Sequence, residues 1–264
     1  MRRIALRIAY EGTNFHGWQR QEPPGLPALR TVQGEVTRAL VEVMRAPIHC
    51  QGASRTDSGV HAQAQVAAFT ADCRVPLQRI PAALNARLPE DIRIMSAWHV
   101  PDDFDPVRNA LAKCYRYEIA CRHPFMARLP FDRKFVYALM YALDVDRMRA
   151  AAMALIGEHD FKGFAHSQHG RECTVRTIYS CEVNTMPDDR VVIDVSGSGF
   201  LYNMVRIIAG TLVEVGRGRI DPAQMPAIVA SSDRSRAGPT FPANGLQLRW
   251  IYYPPDRSEP VCVT

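Results

Sequence analysis

One pattern constrains the fold of this chain more than any other: strands and helices alternate in a similar way in both halves. In the first half, apolar residues at every second position from Ile4 to Tyr10 predict a half-buried strand. Thr31 then predicts the cap of a helix with one apolar side. Further strands are expected at 63–69 and 92–99. Together these elements predict an N-terminal α/β domain over residues 1–108.

The second half, residues 109–264, uses the same kinds of element. A strand at 113–119 places Tyr115 and Tyr117 on one face, and Asp144 predicts the cap of a following helix. The remaining predicted elements are a hairpin turning at 186–190, a helix from about 202 to 215 and a closing strand at 246–253. The chain is therefore expected to be an α+β protein of two similar halves.

The segment Gly52–Ala62, GASRTDSGVHA, is the most informative one for function. Glycines at 52 and 59 let the backbone turn sharply, so the segment reads as a loop that presents Arg55 and Asp57. An arginine beside an aspartate favours the ionised carboxylate. Taken alone, the loop is also compatible with an ordinary turn in which the two side chains cap each other or a helix end.

The helix at 202–215 carries a second unusual feature. Its apolar residues form a broad face, and Arg206, Gly210 and Glu214 form a narrow stripe opposite, at spacings of four. Periodicity alone favours a solvated stripe. Gly210 argues otherwise, because glycine costs about 1 kcal/mol inside a helix and leaves room for another group to approach beside Arg206.

Composition and charge exclude several classes of protein. Apolar residues at 47% and charged residues at 22% are typical of a folded domain, and no apolar run is long enough for a membrane span or a signal peptide, so a cytoplasmic protein is expected. The net charge is +5, and 29 of the 32 basic residues are arginine; this skew suits phosphate binding, and the coding bias of a GC-rich genome is the alternative explanation. Candidate phosphate contacts lie in three groups: Arg2, Arg3 and Arg7; Arg217 and Arg219; Arg234 and Arg236.

The seven cysteines and the histidines predict neither disulfides nor a metal site. The number of cysteines is odd and no CxxC spacing occurs, so reduced and mostly buried thiols are expected. The group His159, His166 and His169 lacks any accompanying Cys or acidic ligand pattern. Neither a P-loop nor a dinucleotide-binding fingerprint is present, so no cofactor is predicted.

Six blocks of the sequence resemble, in the same order, those of the tRNA pseudouridine synthase A family. They are YEGTNFHGWQRQ (10–21), the GASRTDSGVHA loop, KCYRYEI (113–119), GEHDFKGF (157–164), FLYNMVRIIAGTLVEVGRGR (200–219) and NGLQL (244–248). The resemblance spans nearly the whole chain. It implies the pseudouridine synthase fold, in which two ferredoxin-like α/β halves share an extended antiparallel sheet with a central cleft. Ser54 departs from the glycine usual in the family's loop.

The resemblance also implies roles for individual residues. Asp57 matches the family's catalytic aspartate, and Arg206 in MVRxIxG matches the arginine that pairs with it. Tyr115 would lie against the target uracil, either by stacking on it alone or by also handling the C5 proton as a catalytic residue, although a tyrosine on an alternating strand is commonly a packing residue. Arg55 would contact the displaced RNA backbone. Trp18 and Gln19 are interpreted as structural or weakly RNA-facing.

The implied function is isomerisation of uridine to pseudouridine at tRNA positions 38, 39 and 40, in the anticodon arm, by a homodimer without metal or cofactor. Such enzymes extrude the target nucleotide into a pocket. The carboxylate can then add covalently or remove a sugar proton, and the sequence does not choose between these paths. A non-catalytic RNA-binding protein is the alternative. A glycosidase would need a second carboxylate near Asp57, and none close in sequence stands out; Asp72 and Asp91 are available, but nothing in the sequence favours them.

Overall fold

The computed structural model describes residues 1–22, 24–25, 27–72, 74–121, 131–166, 172–187 and 189–259. The chain divides into two compact units. Unit 1 comprises Met1–Leu111 together with Leu248–Thr264, and unit 2 comprises Ala112–Gln247. Each unit combines an antiparallel sheet with helices, so the predicted α+β class is confirmed. The C-terminal segment belongs to the unit formed by the N-terminal part of the chain.

Unit 1 is built on a sheet in which the first strand lies between two others. The elements are β1 (Arg2–Tyr10), α1 (Val32–Met44), β2 (Gln51–Gly52), β3 (His61–Ala71), α2 (Ile80–Asn85) and β4 (Ile92–His99). β1 pairs antiparallel with both β3 and β4, and the short β2 pairs with β3. Because β2 and β3 are partners, the residues between them close a loop at one end of this sheet.

Unit 2 has a similar sheet with more helices. Its elements are β5 (Ala112–Cys121), β6 (Tyr137–Leu139), α3 (Val145–Ala152), β7 (Gly157–Asp160), β8 (Val175–Met186), β9 (Arg190–Gly197), α4 (Met204–Gly216) and α5 (Met225–Ser231). A last strand, β10 (Leu246–Tyr252), begins in unit 2 and ends in unit 1. The antiparallel order is β5-β9-β8-β7, and β6 pairs parallel with β5.

Side-chain caps fix where two of the helices begin, as the sequence predicts. Thr31 accepts a hydrogen bond from the Gly34 amide at the start of α1, and Asp144 accepts one from the Arg147 amide at the start of α3. Each cap satisfies one of the amide donors that a helix leaves unpaired in its first turn. None of the helices among the described residues is long and apolar enough to cross a membrane.

The C-terminal segment covers one face of the unit 1 sheet. Tyr253 is buried there beside Phe104, and its hydroxyl donates to the Pro106 carbonyl at 2.7 Å. Arg257 donates to Asn109 and to Asp103. This packing explains why Ala5 is fully buried although it lies on the face of β1 opposite Ile4 and Leu6: it belongs to the same cluster as Tyr253.

Candidate active site

The loop from Gly52 to His61 connects β2 to β3 and carries two of the predicted site residues. Asp57 is half-buried, and Arg55 is exposed. The Val60 amide donates to the Asp57 carbonyl at 3.1 Å, and Gly59 lies between them with φ +79°. A positive φ is easily adopted only by glycine, so Gly59 permits the tight turn that follows Asp57. The described residues offer Arg55 neither a hydrogen bond nor an ion pair.

The segment before α1 braces this loop from behind. Trp18 is 1% exposed, and its amide donates to the Thr56 carbonyl at 3.0 Å. Gly17 lies at φ +85°, where an added Cβ would stand 2.6 Å from the same carbonyl oxygen. The Trp18 ring occupies the space beside Gly52, where a Cβ would stand 2.2 Å from Nε1. Trp18 is therefore structural, which settles the two interpretations that the sequence left open for it.

A buried hydroxyl pair anchors the residue between Arg55 and Asp57. Thr56 is buried, and its Oγ1 shares a hydrogen bond of 2.7 Å with the Tyr10 hydroxyl at the end of β1. The Thr56 backbone and side chain are thus both bound within unit 1. A residue held at both points leaves its neighbours little freedom, so the backbone that carries Asp57 is fixed before any substrate arrives.

Ser54 is accommodated without backbone strain. Its φ is not among the positive values of the described non-glycine residues. The fully buried Gln65 of β3 binds it at two points: Gln65 Nε2 donates to the Ser54 carbonyl at 2.6 Å, and Gln65 Oε1 accepts from the Ser54 amide at 3.2 Å. The departure from the family's glycine therefore leaves the loop intact.

Tyr115 and Tyr117 lie on one face of β5 but have different surroundings. Tyr115 is 5% exposed, and its ring forms a T-shaped pair with that of Phe200 at a centroid distance of 5.3 Å. Tyr117 is fully buried, and its hydroxyl donates to the Pro242 carbonyl at 2.8 Å. Burial raises the pKa of Tyr117 well above its ordinary value, and the charge of Arg206 opposes that rise. Tyr117 is thus a packing residue close to Arg206.

Arg206, in the first turn of α4, is bound to the chain segment that crosses this helix. Its Nε donates to the Phe241 carbonyl at 2.6 Å, and its Nη1 donates to Asn203 Oδ1 at 2.8 Å. Gly210, one turn on, is buried against the same segment, where an added Cβ would stand 1.9 Å from the Pro239 carbonyl oxygen. The interpretation of this stripe as solvated is therefore wrong at Gly210.

Two contacts around these residues were not predicted from the sequence. One is the Tyr10–Thr56 hydrogen bond, which joins residues far apart in the chain. The other is Asn203, which the predicted helix at 202–215 included but which precedes α4 in a left-handed conformation. Asparagine adopts that conformation more readily than most residues, and this preference was the available signal for Asn203.

Most of the arginines proposed as phosphate contacts have partners inside the protein. Arg3 donates to the Phe104 carbonyl, and Arg7 pairs with Glu259 at 3.4 Å. Arg217 and Arg219 both pair with Glu214, at 2.8 and 3.3 Å. Arg234 donates to the Gly238 carbonyl and to Thr240, and Arg236 donates to the Ala227 carbonyl. These arginines therefore stabilise the fold through internal contacts, in addition to being candidates for binding an external phosphate.

The alternative chemistries find little support in the described residues. Asp91, named above as available to a glycosidase, is held by both terminal nitrogens of Arg30 at 3.0–3.1 Å. No group of three or more His, Cys, Asp or Glu among the described residues could hold a metal ion, and His169 lies outside them. Burial raises the pKa of the Cys50 and Cys181 thiols to about 12, so both stay protonated and unreactive.

Comparison with known proteins identifies the family. A model of the tRNA pseudouridine synthase family matches residues 7–107 and 151–254, which include Asp57, Arg55 and Arg206. The chain belongs to this family. It is 43% identical over 253 residues to tRNA pseudouridine synthase A of Geotalea uraniireducens, covering 96% of this chain and 100% of the relative. The same protein of Ruminiclostridium cellulolyticum is also 43% identical with the same coverage, and tRNA pseudouridine synthase A 2 of Clostridium tetani is 40% identical, covering 96% of this chain and 99% of the relative.

Membership in the synthase family defines the class of reaction. The chain is an isomerase that converts uridine to pseudouridine in tRNA. The reaction moves the sugar from N1 to C5 of the same base, so it needs a group that acts on the sugar and a fixed environment for the detached base. A half-buried carboxylate on a braced loop fits the first of these needs, and an immobilised aromatic side chain on a strand fits the second.

Proposed function

We propose that this chain modifies uridines 38, 39 and 40 in the anticodon arm of tRNA, with Asp57 as the catalytic carboxylate. Arg206 pairs with Asp57 and keeps it ionised, Tyr115 lies against the target uracil, and Arg55 contacts the displaced RNA backbone. The observation that carries the proposal is the loop that presents Asp57: it is fixed through Thr56, and the family model matches it.

The ionised carboxylate serves either chemical route. Isomerisation requires cleavage of the N1–C1′ bond, rotation of the base and bond formation through C5. Asp57 acts by adding to the sugar or by removing a sugar proton to open a glycal path, and both routes require the deprotonated form. A cation beside the carboxylate favours that form. The planar guanidinium of arginine suits this role, because it meets a carboxylate at two points.

Tyr115 and Arg55 support the proposal in different ways. The Tyr115 ring is buried and forms a T-shaped pair with Phe200, which supports its role as a fixed aromatic surface for the uracil. Arg55 is exposed beside Asp57 and has no partner among the described residues. An exposed arginine of this kind is available for the phosphates next to an extruded nucleotide, and such contacts offset the cost of unstacking it.

The enzyme is proposed to act in the cytoplasm as a homodimer that binds one tRNA through both subunits. A charge of +5 per chain gives limited attraction for a polyanion, and two basic surfaces together give more. Light scattering at working concentration measures the subunit number, and a salt titration of tRNA binding measures the number of phosphates contacted. A fully active monomer would refute the two-subunit part of the proposal and leave the assignment of Asp57 unaffected.

The decisive experiment replaces Asp57 by asparagine. The amide is nearly isosteric, so the fold and tRNA binding should survive, but the amide neither adds to a sugar nor takes its proton. Turnover is measured as release of tritium from C5 of uridine-labelled tRNA. The matched control is Asp72→Asn, which makes the same change at an exposed aspartate just beyond β3 and should keep full activity. If Asp57→Asn retained even about a tenth of the activity, the assignment would be wrong.

A further inference from the structure

Asn203 stands immediately before α4 in a conformation that does not suit a helix cap. Its φ and ψ are 63° and 3°, in the left-handed region, whereas a capping residue is usually extended. Its side chain makes no cap hydrogen bond to α4. Asparagine is among the best capping residues, so the first turn of α4 forgoes a contact that the sequence could have supplied.

The side chain of Asn203 is instead directed to Arg206. Asn203 Oδ1 accepts from Arg206 Nη1 at 2.8 Å, while the Phe241 carbonyl accepts from Arg206 Nε at 2.6 Å. The guanidinium is planar and its donors are fixed relative to one another. Because two different nitrogens of Arg206 each donate to a separate acceptor, the plane of the guanidinium has a defined orientation. Rotating the guanidinium would break at least one of these two hydrogen bonds.

Both of these acceptors are uncharged, unlike the acceptors of several other arginines of the protein. Arg116 meets both oxygens of Asp194 at 2.7 and 2.8 Å, and Arg30 meets Asp91 in a similar way. In those pairs the carboxylate neutralises the cation. An amide oxygen and a backbone carbonyl orient Arg206 without adding a negative charge, so these two contacts leave its full charge to act on a further group.

We propose that Asn203 is a positioning residue for the reaction: it holds the guanidinium of Arg206 in the orientation that Asp57 requires. A left-handed residue that gives up a helix cap is a sign of a functional constraint, and the contact that Asn203 makes instead of the cap is the one from Arg206 Nη1 to its Oδ1. The inference rests on the proposed pairing of Arg206 with Asp57.

The test uses Asn203→Gly, which separates activity from stability. Glycine adopts a φ of +63° freely, so the thermal midpoint should stay the same or rise, while the acceptor for Arg206 Nη1 is lost. The kcat for tritium release should fall by about tenfold to about a hundredfold, with KM for tRNA nearly unchanged. Because a misplaced cation favours the Asp57 carboxylate less, the pKa of Asp57 should rise, and the acid limb of the kcat profile should move to higher pH.

Two further variants exclude a purely structural explanation. Asn203→Ala also loses the acceptor but keeps an unfavourable φ, so it should show the same loss of kcat with a lower thermal midpoint. Asp189→Gly relieves a φ of +56° in the β8–β9 turn, and it should not lower the midpoint or change kcat. If only Asn203→Ala lost activity, the backbone rather than the Oδ1 contact would matter, and the inference would be overturned.

Arg206→Ala distinguishes failure of this inference from failure of the proposed function. If Arg206→Ala is inactive while Asn203→Gly keeps the kcat and pH profile of the parent, Asn203 has no positioning role and the function of Arg206 stands. If Arg206→Ala itself keeps full activity, the proposed pairing with Asp57 is wrong, and the role of Asn203 is refuted with it.

Discussion

Replacing Gly210 by alanine should destabilise the protein, although alanine is the better helix former. In a helix interior the replacement would by itself be favourable by about 1 kcal/mol. At Gly210, however, the new Cβ would stand 1.9 Å from the Pro239 carbonyl oxygen and 3.1 Å from Phe241 Cδ1. Contacts of this kind are not found below 3.0 Å, so the carbonyl must move by 1.1 Å, the difference between 3.0 and 1.9 Å.

The size of the loss follows from what blocks the new methyl group. Overpacking costs about 1–3 kcal/mol, and the upper end applies because the obstacle is backbone rather than a flexible side chain. Subtracting the gain in helix propensity leaves a net loss of about 2 kcal/mol in the free energy of unfolding. The moving segment also carries the Phe241 carbonyl that binds Arg206 Nε. A displacement of about 1 Å can lower kcat by about a hundredfold.

Urea unfolding measures the stability of Gly210→Ala, and tritium release measures its kcat. The matched control is Gly34→Ala in α1, where the nearest atom to the new Cβ is the Thr31 side-chain oxygen at 3.0 Å. Because that oxygen also caps α1 by accepting from the Gly34 amide, a shift of the cap offsets part of the gain in helix propensity, so the control should change by no more than about 1 kcal/mol, with unaltered kcat. A Gly210→Ala protein that is as stable and active as the parent would refute the reasoning.

Two further predictions concern the tyrosines. Tyr10→Phe and Thr56→Val should each cost about 1–3 kcal/mol in urea unfolding, because each removes one partner of a buried hydrogen bond. The double variant should lose less than the sum of the two, and strict additivity would contradict a direct contact. Tyr117→Phe should cost about 1 kcal/mol by losing its bond to the Pro242 carbonyl and should keep kcat, whereas Tyr115→Leu should lower kcat because it removes the aromatic surface proposed for the uracil. Equal tritium release by these two variants would contradict the roles assigned to them.

Elements defined by local signals could be predicted from the sequence. Thr31 and Asp144 cap α1 and α3 as expected, because a cap depends on a hydrogen bond across only three residues. The predicted strand at 92–99 matches β4, whose apolar residues alternate. In the loop, glycines and an Arg–Asp pair indicated a turn that presents Asp57, and residues 52–61 form that turn.

Features that depend on distant residues could not be predicted in the same way. The start of α4 was expected at Tyr202 and lies at Met204, because Asn203 is left-handed and binds Arg206. Gly210 was recognised as a place for close approach, but its partner, the Pro239 carbonyl, is about thirty residues away in sequence. Periodicity describes one helix at a time and contains no information about the segment that crosses it.

The positions of arginines in the sequence were the least reliable guide to the residues proposed to bind RNA. The sequence does not distinguish an exposed arginine from one paired with a carboxylate, yet only the first keeps its charge available to RNA. Arg3, Arg7, Arg217 and Arg219 have internal partners, whereas Arg55 has none among the described residues. The useful distinction is therefore the chemistry of each arginine's acceptors. Carboxylates neutralise, as at Glu214, while neutral oxygens orient and leave the charge to act elsewhere, as at Arg206.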